Sequence, residues 1–300
     1  MELRHLRYFV AVAEELHFRR AAERLHIAQP PLSQQIQALE EEIGAQLLVR
    51  SKRSVNLTDA GKLFLQRARR ILAEASLASD EARRAANGEI GELFVGYTAS
   101  IPLTPLLPRI LSEYREHCPT VTVHLQEMFT PDQFNALRNN DLDVGFVRYN
   151  DPDKQVDGLR LRLLHNDPLV MALPIKHPLA KSSRVTLAQF ANERFIAYPE
   201  AAGADLGVLI RRLCNWAGFT PKVEQEAAEA VTQIGLVAAG LGVTVMPSPM
   251  ACIAMDRVCY IPLADEGAFH SMYLVTRHTT PKPLLARFLS CVDTAVAHTL

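Results

Sequence analysis

Apolar residues recur at helical spacing from the start of the chain. Leu3, Leu6, Phe9, Val10, Ala13 and Leu16 fall on one face of an amphipathic helix. Phe18, Ala21, Ala22 and Leu25 predict a second, short helix, with small alanines where a close helix crossing needs them. His26 to Gln29 reads as a turn. Pro30 and Pro31 then open a third helix, because the first-turn N–H groups that proline lacks have no intrahelical partner. Its apolar stripe is Leu32, Ile36, Leu39 and Ile43, and Gly44 is a good stop. Ser33, Gln34 and Gln37 lie off that stripe and are expected to be exposed. Leu47 to Arg50 and Ser54 to Leu57 predict two short strands joined by a basic tip, Ser51-Lys52-Arg53. From Thr58 to about Ala86 the pattern is one long helix whose only internal glycine is Gly61. Thr58 can cap it and Asp59 suits its first turn. Asn87 to Gly91 is the linker where it stops.

Beyond the linker, strands alternate with helices, an α/β pattern. Leu93–Tyr97, Val121–Glu127 and Val144–Val147 predict strands, with helices near Leu106–Cys118 and Asp132–Asn139. The theme recurs: strand Leu169–Leu173, helix Thr186–Phe190, strand Arg194–Ala197, helix Leu206–Ala217 and strand Val223–Gln225. Helix Val231–Ala239, strand Val243–Met246, strand Met272–Thr276 and helix Pro283–His298 complete it. Two similar halves facing across a cleft are expected.

At 300 residues, with 48% hydrophobic and 22% charged side chains, the chain is long enough for two or three folding units and is not a mainly disordered one. The formal net charge of −1 hides a distribution: residues 1–70 carry 12 basic against 8 acidic side chains, a formal +4 that leaves −5 for the rest. The charged N-terminus lacks the apolar run of a secretory signal. The most apolar region, Val231 to Met246, carries Gln233, two threonines and three glycines, too polar for a membrane span. A cytoplasmic protein with no membrane partner is expected. The five cysteines are odd in number and show no CxxC spacing, which suits reduced, mostly packed thiols.

Residues 18–43 have the pattern of a helix, a tight turn and a second helix displaying Gln29, Ser33, Gln34 and Gln37. A helix so placed can enter the major groove of duplex DNA, where amides pair bidentately with adenine and hydroxyls donate or accept. The basic tip at Lys52 and Arg53 has the place of a wing. The alternative is plain helix packing with an exposed amide face.

The segments MELRHLRYFVAVAEE, AAERLHIAQPPLSQQIQALEEEIGAQLLVR and LTDAGKLFL resemble the LysR-type transcriptional regulators, and FVGYTAS, DLDVGFVR and GLVAAGLGVTVMP resemble that family's effector domain. The resemblance covers essentially the whole chain. It implies an all-α-type winged helix-turn-helix domain over residues 1–58 and a linker helix over 59–88 used for dimerisation. It also implies an α/β effector-binding domain over 89–300, similar to periplasmic binding proteins. The subdomains would span 91–161 with 268–300, and 162–267, with crossings near Arg160–Leu164 and Ala264–Phe269. The partners it implies are double-stranded promoter DNA, RNA polymerase, a small effector and further copies of the chain in a homotetramer.

Carried over residue by residue, the DNA-reading positions fall on Gln29, Pro30, Pro31, Ser33, Gln34 and Gln37, with Arg53 in the wing. Relatives often carry arginine where this chain has Gln34, and a small capping residue where it has His17. In the effector domain, Tyr97 to Ser100, Thr130 and Arg148 stand at strand ends, where α/β sheets bind ligands. A buried arginine needs an anionic partner, and an internal Asp or Glu serves as well as a ligand's carboxylate. Family members that respond to aromatic or unsaturated carboxylic acids carry hydroxyl, hydroxyl and arginine at the positions of Ser100, Thr130 and Arg148. The resemblance therefore implies a carboxylate effector, with Phe129, Tyr198 and Pro199 as apolar walls.

No GxGxxG, P-loop, GxSxG or HExxH pattern is present, so neither an enzyme nor a resident cofactor or metal is expected. A small-acid-binding protein or enzyme of the same body, without a DNA role, is the competing class. The missing export signal and the missing catalytic constellation count against its two versions.

Overall fold

The computed structural model describes residues 1–50, 54–150, 156–199 and 205–298. The chain forms two compact units, Met1–Ala85 and Ala86–Leu300. Among the described residues no helix is long and apolar enough to cross a membrane.

The first unit contains α1 (Leu3–Glu15), α2 (Phe18–Arg24), α3 (Gln29–Ile43), the antiparallel pair β1 (Leu48–Arg50) and β2 (Val55–Leu57), and most of α4 (Asp59–Ala86). Leu6, Phe9 and Ala13 of α1 pack on Ala21 and Ala22 of α2 and on Leu32, Ile36 and Leu39 of α3 in one core. Phe9 meets Phe64 of α4 edge-on, ring centroids 5.1 Å apart. Periodicity overreached at helix ends. Leu3, Leu16 and Ile43 are exposed, because the stripe passes beyond the core at its ends. Leu16 has left the helix altogether, as a left-handed C-cap with φ of 49°.

Two polar side chains tie this unit together. Glu40 near the end of α3 accepts from the Leu47 and Leu48 amides, both at 2.9 Å, and from Arg50 at 2.8 Å. Thr58 caps α4 by accepting from the Gly61 amide at 2.8 Å, while its own hydroxyl donates to the Gln46 carbonyl at 2.8 Å. Removing a cap of this kind costs about 1 kcal/mol. Thr58→Ala is therefore expected to lower the thermal midpoint of the first unit by a few degrees, and Thr58→Ser to leave it nearly unchanged.

The second unit is built on β3 (Gly91–Tyr97), α5 (Leu106–His117), β4 (Val121–Glu127), α6 (Thr130–Asn139), β5 (Val144–Arg148), β6 (Leu159–Pro174), β7 (Arg194–Ala197) and α7 (Asp205–Trp216). It continues with β8 (Lys222–Glu226), α8 (Ala230–Ala238), β9 (Thr244–Pro247), β10 (Val258–Pro262), β11 (Phe269–Arg277) and α9 (Pro283–Ala297). In the first half, β3 pairs in parallel with β4 and β5, and β11 runs antiparallel to both β5 and β6. Leu93, Val95, Phe146 and Leu274 face Ile110, Tyr114 and Phe288 there. In the second half, β6 pairs with β9 and β10, and Leu169, Met171 and Leu173 pack on Phe190, Phe195, Leu209 and Leu213.

The strand β6 is longer than its apolar run. Leu159 to Pro168 pairs with β11 in the first half, and Leu169 to Pro174 enters the second sheet. The crossing expected at Arg160–Leu164 therefore lies inside a continuous strand, and residues 162–168 pack with the first half. Arg160, Arg162, His165 and Asn166 interrupt the apolar positions of its first half, which hides the strand from an apolar-run reading. The second crossing precedes β11, where the Leu169 amide donates to the Ala268 carbonyl at 2.9 Å. Residues 187–190 form a single 3-10 turn rather than a helix, and β10 is an element that the pattern did not predict. Cys118, Cys214 and Cys291 are buried and Cys259 half-buried, but Cys252 is exposed, against the packed reading for that residue.

Candidate functional site

At the end of the α2–α3 turn, Ala28 is extended and Pro30 and Pro31 occupy the first turn of α3. No side chain caps that end. Leu32, Ile36 and Leu39 are fully buried, and this fixes the opposite face outward. Gln29, Pro30, Pro31, Gln34 and Gln37 are exposed, and Ser33 is half-buried. Gln37 donates to Glu41 at 3.1 Å, so its amide is braced along the helix. His17 supplies the α2 cap in place of a small residue, its Nδ1 accepting from the Arg20 amide at a long 3.5 Å. Several basic side chains of this unit are already engaged. Arg20 pairs with Glu15, Arg24 and Arg69 with Glu14, and Arg50 with Glu40. The hydrogen bonds from Arg69 and Arg24 hold the Glu14 carboxyl below its usual range. Among the described residues, Arg7, Arg67 and Arg70 are exposed and unpaired. Arg53 lies outside the described residues.

The second constellation surrounds a cavity of about 490 Å³ in the second unit, lined among others by Ser100, Phe129, Thr130, Arg148, Tyr198 and His270. The ends of β3 and β5 and the starts of α6, α7 and α8 converge there. Gln133, fully buried in α6, donates to the Met128 and Phe146 carbonyls at 3.0 and 3.2 Å and so fixes the start of that helix over the strands. Gly145 makes this possible, since a Cβ on it would stand 2.7 Å from Gln133 Oε1.

Ser100, Thr130 and Arg148 are all buried and brought together. Arg148 Nε donates to Ser100 Oγ at 3.0 Å and Nη1 to the His270 carbonyl at 2.9 Å. Thr130 Oγ1 donates to the Arg148 carbonyl at 3.0 Å, so this hydroxyl positions the arginine's backbone. The guanidinium also forms a short ion pair with Asp167 of β6. Of the two partners a buried arginine can take, the internal carboxylate is thus in place. Burial pushes the Arg148 pKa down, and Asp167 opposes that. Arginine nevertheless stays protonated in proteins. Phe129 and Tyr198 line the cavity, with the Tyr198 phenol pushed up to about 12 by burial and the nearby Glu229. Pro199, expected as a wall, is half-buried and is not among the lining residues.

Three residues here escaped the sequence reading. Asp167 sits opposite His270 in the β6–β11 register, and His270 Nε2 stands 3.5 Å from Asp205 Oδ2 at the start of α7. A charged residue between apolar runs, in Asn166-Asp167-Pro168, was the one available signal for Asp167. The others depend on strand register and helix placement. Outside the cavity, Glu113, His117 and Cys291 bring possible ligand atoms within 4.8 Å of one another. His117 Nδ1 already contacts the Glu113 carbonyl at 2.8 Å, and burial pushes the Cys291 thiol up, away from the metal-binding thiolate.

Residues 3–62 match the bacterial regulatory helix-turn-helix protein of the lysR family, and residues 86–297 match the LysR substrate binding domain. The chain belongs to the LysR family. It is 44% identical over 289 residues to the uncharacterized HTH-type transcriptional regulator YnfL of Escherichia coli strain K12, covering 96% of each chain. It is similar to full-length CbnR complexed with its target DNA, with a TM-score of 0.84, 31% identity and coverage of 99% of this chain and 100% of that one. The BenM effector binding domain with its effector benzoate matches 69% of this chain and 93% of its own length, at 25% identity and a TM-score of 0.62. This LysR-type protein is a DNA-binding transcriptional regulator with an effector-binding domain, and not an enzyme.

Proposed function

We propose that this regulator reads promoter DNA with α3 and is switched by a small carboxylate held at Ser100, Thr130 and Arg148. The observation that carries the effector reading is Arg148. Its Nε and Nη1 are engaged, and Nη2 is buried with no hydrogen-bond partner in a residue that lines the cavity. A carboxylate oxygen suits the one guanidinium nitrogen left without a partner, and Asp167 moderates the attraction without filling that position. That the BenM domain was solved with benzoate supports the same class of ligand. Phe129 and Tyr198 give such a ligand apolar contact.

The DNA-reading set is Gln29, Pro30, Pro31, Ser33, Gln34 and Gln37, with Arg53 in the wing. The supporting feature is their shared outward face, opposite Leu32, Ile36 and Leu39. Residues 1–58 act as the reader, 59–88 as the dimerisation helix and 89–300 as the sensor. Within its own unit α4 buries only Gly61 and Ala68, and leaves Leu63, Ile71 and Leu77 exposed. A second copy of the same helix would cover that stripe. A +4 reader is weak alone, so a homotetramer built as a dimer of dimers would supply the avidity. Contact with RNA polymerase would convert the change in DNA geometry into transcription, in the cytoplasm.

Gel retardation of a promoter fragment by the full-length protein, with and without benzoate, tests both halves. The double variant Gln29→Ala and Ser33→Ala is expected to retain its melting temperature and to bind the fragment at least tenfold more weakly. Each good base contact is worth about 1–3 kcal/mol. Undiminished binding would remove α3 from the reading role.

A further inference from the structure

Buried polar atoms without partners are few in a folded protein and mark places where something else completes them. Among the described residues those atoms are Thr98 Oγ1, Gln133 Oε1, Arg148 Nη2, Asp167 Oδ2, Asp205 Oδ2 and both ring nitrogens of His270. All except those of Gln133 and Asp167 belong to residues lining the one cavity described above. Asp167 Oδ2 is at least ion-paired to Arg148. Gln133 apart, the unmet valences of the effector domain are therefore concentrated at this cavity, and beside the Thr98 hydroxyl they are of two kinds.

The first kind is a donor, Arg148 Nη2, which the carboxylate reading uses. The second kind is the pair His270 and Asp205, which that reading leaves idle. Burial holds His270 below its usual pKa, with the nearby Asp205 carboxylate opposing. The imidazole is accordingly neutral, with one N–H and one lone pair. Its Nε2 stands 3.5 Å from Asp205 Oδ2, too long for a full hydrogen bond, and neither ring nitrogen has a partner. One ring nitrogen is therefore an acceptor, and Asp205 is an acceptor as well. Neither acceptor has a donor within hydrogen-bond distance, and a ligand group that donates would complete them. An ionised carboxylate has no hydrogen to give, so a simple acid cannot complete this pair.

We infer that the effector is a hydroxycarboxylic acid, its carboxylate taken by Arg148 and Ser100 and its hydroxyl by His270 and Asp205. The inference rests on the carboxylate reading above and adds the second functional group. The two poles are neighbours, since Arg148 Nη1 bonds the His270 carbonyl at 2.9 Å. A hydroxyl close to the carboxylate therefore suits the site. An ammonium would also donate, but it would bring a second cation beside the guanidinium. The remaining carboxylates at the cavity, Glu127, Asp132 and Glu229, are exposed and hydrated, so they offer less to draw one in. Asp205 comes from α7 in the second half and His270 from β11 in the first. A hydroxyl received by both would link the two halves, and that gives the ligand different affinity for different arrangements of them.

Calorimetry on the full-length protein with matched acids tests this: propionate against lactate, and benzoate against 2-hydroxybenzoate. In at least one pair the hydroxy acid is expected to bind tenfold or more tightly than its parent. In His270→Phe that advantage should fall below threefold. Asp205→Asn, a milder change at a half-buried position, should give the same loss of discrimination and serves where the histidine variant does not fold. Equal affinity within both pairs, an advantage that survives both variants, or tighter binding of alanine than of lactate would each overturn the inference. If none of the acids bound at all, the carboxylate reading itself would fall, whereas parent acids that bind without any hydroxyl preference would sink only the hydroxy acid.

Discussion

Arg148→Ala is expected to destabilise the effector domain by about 3–5 kcal/mol, because it leaves Asp167 as an uncompensated buried charge. The side chains of the pair are 4% and 7% exposed, so water cannot replace the lost partner. The same change strips donors from Ser100 Oγ and the His270 carbonyl, which adds to the cost. Chemical denaturation followed by circular dichroism measures it. The double variant Arg148→Ala with Asp167→Asn should recover much of the loss, since it removes the stranded charge as well. If Arg148→Ala alone cost less than about 1 kcal/mol, the buried pair would not be the structural element described here. The recovered double variant also gives a folded background in which to measure effector binding. There, calorimetry should show no carboxylate binding, and unchanged binding would remove Arg148 from the site.

Gly61→Ala should be the most damaging small substitution in the DNA-binding unit. A Cβ at Gly61 would lie 2.0 Å from the Leu47 carbonyl oxygen and 3.0 Å from its carbon. The obstacle is backbone and cannot rotate aside. Leu47 O is moreover held by the Thr58 amide at 3.0 Å, so the first turn of α4 and the entry to β1 would have to separate. In an open helix the same change would stabilise by about 1 kcal/mol, because alanine is the better helix former. Here overpacking of about 1–3 kcal/mol or more opposes that gain, and the depth of the clash decides the sign. A lower thermal midpoint for the first unit and weaker promoter retardation are the expected results. A variant that melted at or above the parent temperature would show that α4 can shift without cost.

Gly61 shows how far a linear reading reaches. It stood out as the one internal glycine of a long helix, but nothing in the pattern said that a carbonyl from fourteen residues earlier lies against it. Local signals were otherwise dependable where one element suffices to express them. Pro30 and Pro31, Gly44 and the Thr58 cap all sit where their backbone chemistry requires. Stripes failed at their ends, at Leu3, Leu16 and Ile43, because burial needs a neighbour as well as a period. The crossing strand β6 was read as its apolar half alone, since polar residues interrupt the hydrophobic run in the other half.

By itself, the sequence determined the helix-turn-helix, the α/β body, the family and the presence of Ser100, Thr130 and Arg148 at strand and helix ends. Those features are written in periodicity, capping and strand-end position, all of which act within a few residues. Only the tertiary structure decided what surrounds Arg148. Asp167 meets it through β6 and His270 through the β11 register, and Asp205 reaches His270 through the placement of α7. Pairings across long stretches of chain are set by strand register and packing, and no local pattern records them.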